Sequence, residues 1–184
     1  MRILGIDPGS LKAGYAIVEV NGKKINLIHS GVFSFGKDQD FFSRLIELNY
    51  KTKKIVKEFQ PEECALESLI YVKNVSSLAK LSQARGAMIS ALDRMDSNKI
   101  FEYSPNLIKS MVSGHGHSSK QAIEKMVQLF IGQKLTFKAS DESDALAIAI
   151  CHSLLRDERE AQNILRSSQS KARSLKDHFK HLEK

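Results

Sequence analysis

The chain has 184 residues, of which 42% are hydrophobic and 27% charged, as in one globular domain of ordinary size rather than a disordered chain. Lys and Arg outnumber Asp and Glu by 28 to 21, and the net charge of +7 favours a polyanionic partner such as nucleic acid or a membrane surface. The longest apolar run, 145–151, is too short to cross a bilayer, and Asp7 interrupts the apolar part of any secretion signal. Cys64 and Cys151 lie in apolar segments and are expected to be buried, reduced thiols. These features predict a soluble, basic, intracellular domain.

The first three predicted elements are strands. Residues 2–7 form an apolar run that ends on an acid, and a turn separates this run from a second apolar run at 14–20. Asn21 and Gly22 form a strong hairpin signal before a third strand at 24–35. Three antiparallel strands are therefore expected to open the chain.

Beyond residue 40 the pattern alternates between helical and extended periods. In chain order we predict a helix capped by Asp40 and stopped by Pro61, a buried strand at 63–68, a long helix at 74–96, a strand at 99–103, a helix at 106–112, a helix capped by Ser118 and Gln121, and a last helix at 140–155. This order predicts an α/β fold with a mixed five-stranded sheet, three antiparallel strands followed by parallel ones, and helices on both faces.

The composition divides the chain near residue 155. Residues 156–184 contain eight Lys or Arg and five Asp or Glu, with few apolar residues. We therefore predict a folded domain at 1–155 and a charged tail at 156–184, either a solvated helical extension or a disordered arm.

Four acids are the candidate functional residues. Asp7 and Glu67 end two predicted strands, and neighbouring strands would bring their carboxylates together at one edge of the sheet. Asp141 and Asp144 are three residues apart and share a helical face. Paired carboxylates suit a hard divalent cation such as Mg²⁺, and two such ions would suit phosphoryl transfer. The alternatives are that Asp7 caps a turn and that the acids at 141–144 only complement the helix dipole.

Three segments in order resemble the RuvC-type Holliday-junction resolvases. The chain opens with Arg-Ile-Leu-Gly-Ile-Asp-Pro-Gly-Ser at 2–10. It continues with Ala-Leu-Glu at 65–67 and Lys-Leu-Ser-Gln-Ala-Arg-Gly at 80–86, and it ends with Ser-Asp-Glu-Ser-Asp-Ala-Leu-Ala at 140–147. The resemblance covers about residues 1–155.

The resemblance implies a ribonuclease-H-like fold and a homodimeric, Mg²⁺-dependent endonuclease of the bacterial cytoplasm that acts in DNA recombination and repair. Such enzymes nick a four-way DNA junction symmetrically and leave 5′-phosphate and 3′-hydroxyl ends. Asp7, Glu67, Asp141 and Asp144 match the four catalytic acids and would hold two Mg²⁺ ions per subunit, with Mn²⁺ as a substitute. The family works with the RuvA–RuvB branch-migration complex.

Candidate DNA contacts follow in part from this resemblance. They are Lys12, Ile70, Tyr71, Lys73, Asn74, Lys80, Arg85, Lys109, His115 and Lys120. Lys109 and Lys120 match basic positions linked to catalysis or backbone binding, whereas Ile70 stands where the family has a phenylalanine implicated in base stacking, which leaves Tyr71 as a replacement. For any single lysine, an ordinary solvated residue is the alternative. The loop with His115 and His117 suits a phosphate or mere mobility better than a metal ion.

Other interpretations remain open at this stage. The helix at 74–96 has two apolar stripes, which are either one wide core face or a core face and a dimer face; the resemblance favours the dimer. A non-catalytic protein of the same fold that binds structured DNA would explain the charge but not the four acids, which repel phosphate unless a metal neutralises them. An actin-like phosphotransferase would need a second lobe that 184 residues do not accommodate.

Overall fold

A computed structural model describes residues 1–69 and 74–157 and contains one five-stranded sheet. The strands are β1 (Arg2–Asp7), β2 (Lys12–Asn21), β3 (Lys24–Ser34), β4 (Glu63–Glu67) and β5 (Ile100–Tyr103), in the spatial order β3-β2-β1-β4-β5. β1 pairs antiparallel with β2 and parallel with β4, β2 and β3 are antiparallel, and β4 and β5 are parallel. The predicted mixed sheet is therefore confirmed.

The helices follow the predicted order. They are α1 (Phe41–Phe59), α2 (Val75–Ile89), α3 (Pro105–Ser113), α4 (Lys120–Ile131) and α5, which covers 140–157 among the described residues; a short 3-10 turn, Ser97–Lys99, precedes β5. The Asp40 carboxylate accepts the Ser43 N–H at 3.0 Å and caps α1 as predicted.

The helix predicted at 74–96 is wrong at its C-terminal end, because α2 ends at Ile89. The chain then turns through bonds three residues apart: the Leu92 N–H donates to the Ile89 carbonyl, and the Met95 N–H donates to the Leu92 carbonyl, each at 2.9 Å. Leu92 is buried in the core although it follows the end of the helix. Apolar residues therefore keep the helical spacing beyond the last helical residue.

The predicted cap of α4 is wrong by one residue. Ser119, not Ser118, is the N-cap, and its hydroxyl accepts the Ala122 N–H at 3.2 Å. The Ser118 hydroxyl instead donates to the His115 carbonyl at 2.9 Å and closes the preceding loop.

The two faces of the sheet pack against different helices. Alternate residues of β1 and β4, such as Leu4, Ile6 and Leu66, join a core that includes Leu48 of α1 and Met88 of α2. The opposite face carries the odd-numbered residues of β1, and α5 lies against it, as the contacts below show. The prediction of helices on both faces is confirmed.

The chain divides into two compact units, Met1–His152 and Ser153–Lys184, and the described residues of the second unit, 153–157, are helical. The rest of the predicted tail, 158–184, lies outside the described residues. In the part of the chain that the structure describes, no helix is long and apolar enough to span a membrane. Both cysteines are buried free thiols, as predicted.

Candidate active site

Asp7 and Glu67 are brought to one edge of the sheet by the pairing of β1 with β4. These strands are parallel, and Ile6 lies opposite Leu66, so the next residue along each strand is one of the two acids. Because parallel strands in register direct paired side chains to the same face, Asp7 and Glu67 emerge side by side. The sequence prediction required these strands to be neighbours, and they are.

The first turn of α5 lies directly on the same face because two strand positions are glycine. A Cβ on Gly14 would lie 1.8 Å from the Asp141 carbonyl oxygen, and a Cβ on Gly5 would lie 2.2 Å from the Ala145 carbonyl oxygen. Any side chain at these positions would push the helix off the sheet. The two glycines therefore permit the close approach that brings Asp141 and Asp144 toward the strand ends.

Electrostatics show that the four acids share one environment. The pKa of Asp7 is raised from 3.8 to about 8, first by burial and then by the negative charges of Asp144, Glu67 and Asp141. The charge of Lys120 opposes this rise but does not cancel it. Burial and Asp144 also raise the pKa of Glu67. The structure thus gathers the four acids that the sequence selected.

Two lysines supply positive charge beside the acids. The Lys120 ammonium lies 3.2 Å from an Asp144 carboxylate oxygen, with 69% of the lysine side chain exposed. The charge of Asp144 raises the pKa of Lys120, so this lysine stays protonated. Lys109 of α3 lowers the pKa of Glu67, as does Lys120. Both lysines are therefore close enough to act on whatever occupies the site.

The donor set fits a hard divalent cation. Four carboxylates face two ammonium groups, and carboxylate oxygens are the ligands that Mg²⁺ prefers. A bound cation would offset the burial and the repulsion that together raise the pKa of Asp7. Within 1–69 and 74–157, no three His, Cys, Asp or Glu side chains are close enough together to enclose a metal ion as they stand. The acids are close enough to shift one another's pKa but do not form a closed set of ligands in this structure.

The other predicted DNA contacts have varied surroundings. Lys12 is exposed at the start of β2, and His115 is exposed in the loop after α3. The Asn74 side chain caps α2 by accepting the Ser77 N–H at 3.1 Å. Ile70, Tyr71 and Lys73 lie outside the described residues.

Two further predicted contacts already have partners within the fold. The Lys80 ammonium lies 6.0 Å from the centre of the Phe41 ring. Lys80 is nevertheless exposed. Arg85 forms an ion pair with Glu102 of β5, and only 14% of its side chain is exposed. Arg85 is therefore less accessible than Lys12, Asn74, Lys80 and His115, which are exposed.

Sequence reasoning missed the role of Gly14 and treated Glu142 only as part of the acidic cluster. A glycine inside an apolar strand signals a close backbone approach and could have identified Gly14. Glu142 is buried, unlike the half-buried Asp141 and Asp144. A carboxylate buried apart from the four acids of the site implies a separate role.

A mixed sheet with acids at the ends of neighbouring strands and on an adjacent helix defines a nuclease of the ribonuclease-H-like class. Residues 3–152 match the family described as "Crossover junction endodeoxyribonuclease RuvC". The chain therefore belongs to the RuvC family of crossover junction endodeoxyribonucleases.

Individual relatives support this family membership. The RuvC of Thermosipho melanesiensis is 36% identical over 82% of this chain and 96% of its own, and that of Brucella suis biovar 1 is 41% identical over 83% and 87%. The structure of Thermus thermophilus RuvC in complex with a Holliday junction substrate matches with a TM-score of 0.78 and 28% identity, over 85% of this chain and 94% of that one. The yeast mitochondrial Holliday junction resolvase Ydc2 shares the fold at 17% identity and a TM-score of 0.59.

Proposed function

We propose that this member of the RuvC family resolves Holliday junctions, cutting them by paired symmetric nicks during DNA recombination and repair. The observation that carries the proposal is the convergence of Asp7, Glu67, Asp141 and Asp144, whose charges and burial raise the pKa of Asp7 to about 8. In each nick, water attacks the scissile phosphorus in line, and the bond to the 3′ oxygen breaks. The products are a 5′-phosphate and a 3′-hydroxyl.

The four acids would hold two Mg²⁺ ions, for which Mn²⁺ would substitute. When bound, the ions supply the positive charge that activates the attacking water and stabilises the departing oxygen. Asp7 is the central ligand in this proposal because it is affected by the charges of all three other acids. The excess of carboxylates over nearby lysines supports a cationic cofactor, since DNA phosphates would otherwise be repelled.

The lysines act on the phosphate in this proposal. Lys120 is tied to Asp144 at 3.2 Å yet mostly exposed, so its ammonium can face the scissile phosphate while it remains at the acids. Lys109 lies on the side of Glu67, whose pKa it lowers. We assign phosphate contacts farther along the DNA to Lys12 and Lys80, which are exposed. Arg85 would first have to leave Glu102.

Base stacking and loop contacts complete the proposed DNA interface. Tyr71 would stack on a base near the crossover where the family has phenylalanine one position earlier, at Ile70. Lys73 and Asn74 would flank that contact, and His115 would approach a phosphate from its exposed loop.

A homodimer would place two active sites on the two-fold symmetric junction. Exposed apolar residues on α1 support it: Phe42, Ile46 and Tyr50 follow one another at four-residue spacing with 71%, 72% and 57% exposure. α2 buries only Ala84 and Met88 within its own chain. Small exposed residues on the rest of α2 would let two copies of the helix approach closely.

The dimer is tested by light scattering of two matched variants. Ile46→Lys places a charge in the proposed interface and should yield monomers. Leu129→Lys changes an equally apolar residue, 66% exposed on α4, and should remain dimeric. A monomeric wild type, or an Ile46→Lys protein that stays dimeric, would contradict the proposed interface.

Membership of the RuvC family also bears on where the protein acts and with which partner. Because the named RuvC relatives are bacterial, we propose that the protein acts in the cytoplasm together with the RuvA–RuvB branch-migration complex. A pull-down of purified RuvA–RuvB on junction DNA, with and without this protein, tests the partnership.

The activity is tested with four-way and linear duplex DNA side by side. With Mg²⁺, the wild type should nick the junction in pairs and leave the duplex intact. Asp7→Asn should bind the junction but not nick it, whereas Asp38→Asn, at an exposed loop position, should cut normally. Equal cutting of both substrates would indicate a general nuclease, binding without cutting by the wild type would indicate a non-catalytic protein, and full activity of Asp7→Asn would refute the site.

A further inference from the structure

The acid between Asp141 and Asp144 is used by the fold itself. One carboxylate oxygen of Glu142 accepts the hydroxyl of Ser30, on β3, at 2.7 Å. The other accepts the backbone N–H of Lys138, in the loop before α5, at 2.8 Å. Glu142 is only 6% exposed, so its carboxylate depends on these two donors more than on water. Both oxygens are thus occupied by donors from outside the helix.

The direction of Glu142 on α5 separates it from the catalytic face. Successive helix residues are rotated by about 100°, so Asp141 and Asp144 share a face while Glu142 points elsewhere. Ser30 lies opposite Ala16 of β2 in the sheet, two residues along that strand from Gly14. The first turn of α5 is therefore held to the sheet by the close contact at Gly14 and by the carboxylate of Glu142.

We propose that Glu142 is a positioning residue that fixes the first turn of α5, and with it Asp141 and Asp144, relative to the strand ends. The inference rests on the proposed function for the consequence of that position, but the anchoring is a property of the fold. A displacement of about 1 Å at a reacting centre can lower a rate by about 10²-fold. Loss of the two Glu142 hydrogen bonds should therefore slow cutting without lowering the affinity for junction DNA.

Substitution by Ala and by Gln separates an anchor from a catalytic carboxylate. Glu142→Ala removes both bonds, and its single-turnover cutting rate should fall by about 10–100-fold with junction affinity changed less than about 2-fold. Glu142→Gln keeps the shape, because its amide oxygen can accept the Lys138 N–H while its NH₂ donates to Ser30. It should recover most of the rate. Ser30→Ala removes one bond and should fall between the wild type and Glu142→Ala.

Amide hydrogen exchange tests the anchoring by Glu142 independently of catalysis. Exchange should become faster in Glu142→Ala at the amides of residues 138–145 and stay unchanged in β1 and β4. Asp38→Ala, which removes an exposed acid of the loop before α1, serves as the charge-matched control and should match the wild type in rate and exchange.

Three results would overturn the inference. A Glu142→Gln protein as slow as Glu142→Ala would show that the charge itself is needed. A fully active Glu142→Ala would show that the anchor is dispensable. Exchange that accelerates throughout the domain would indicate a general stability role. If the wild type leaves the junction uncut, the proposed function fails separately, and the anchor is judged by exchange at 138–145 alone: selective loss of protection supports it, and unchanged protection overturns it.

Discussion

Asp7 should make the metal-free protein less stable as the pH rises. The folded protein keeps a proton on Asp7 up to about pH 8, whereas the unfolded chain releases it near its ordinary pKa of 3.8. The folded state therefore binds more protons between these values, and the free energy of unfolding falls as the pH rises through that window. Each pKa unit corresponds to about 1.4 kcal/mol, so the loss reaches at most about 6 kcal/mol above pH 8. Neighbouring carboxylates that take up the proton instead reduce this value.

Asp7→Asn removes the titration and tests the reasoning. In chelator, the variant should melt at nearly the same temperature as the wild type at about pH 4 and at a higher temperature at about pH 9. Because 1 kcal/mol shifts the midpoint of a domain this size by about 2–4 °C, the difference at high pH should reach about 10 °C. Added Mg²⁺ should raise the wild-type midpoint and narrow the gap. A gap that does not widen with pH, or that Asp38→Asn also produces, would refute the shared environment of the acids.

The other predictions concern the surroundings of Asp7. Lys120→Met should lower the cutting rate by about 10-fold or more, measured in single turnover, but stability by less than about 1 kcal/mol in thermal unfolding, because its ion pair with Asp144 is largely exposed; a normal rate would contradict its proposed role. Gly14→Ala would force a Cβ to 1.8 Å from the Asp141 carbonyl oxygen and should cost about 2–4 kcal/mol and most of the activity, whereas Gly36→Ala, with nothing within 4 Å, should be neutral in the same assays. The Mg²⁺ concentration for half-maximal cutting should fall with rising pH and level off above about pH 8, because protons compete with the cation for Asp7; a flat titration would argue against Asp7 as a ligand.

Most elements of the fold could be predicted from the sequence because their signals are local. Alternation in the strands, the Asn21-Gly22 turn and the Asp40 cap each depend on a few adjacent residues. The end of α2 could not be predicted, because Leu92 and Met95 keep helical spacing while the chain turns through bonds three residues apart. Local signals also could not distinguish between adjacent serines as the cap of α4.

The site divides in the same way between local and distant information. Asp7 and Glu67 could be selected because each ends a strand, but their proximity depends on β1 pairing with β4, which sequence patterns did not determine. Arg85 was predicted as a DNA contact because it is basic and belongs to a motif. Its ion pair with Glu102 depends on α2 packing near β5 and has no local signature. Distant partners thus change the interpretation of individual charged residues.

The grouping of acids at the strand ends is difficult to explain as a device for stability. A partly buried carboxylate whose pKa is raised to about 8 lowers the free energy of unfolding at neutral pH, and neighbouring acids increase that effect. Lys120 does not remove it, because its ammonium is mostly exposed and is paired with Asp144. The fold nevertheless secures the arrangement through Gly5, Gly14 and the buried Glu142. An arrangement that holds repelling acids together at a cost in stability is expected where those acids bind a cation and a phosphate.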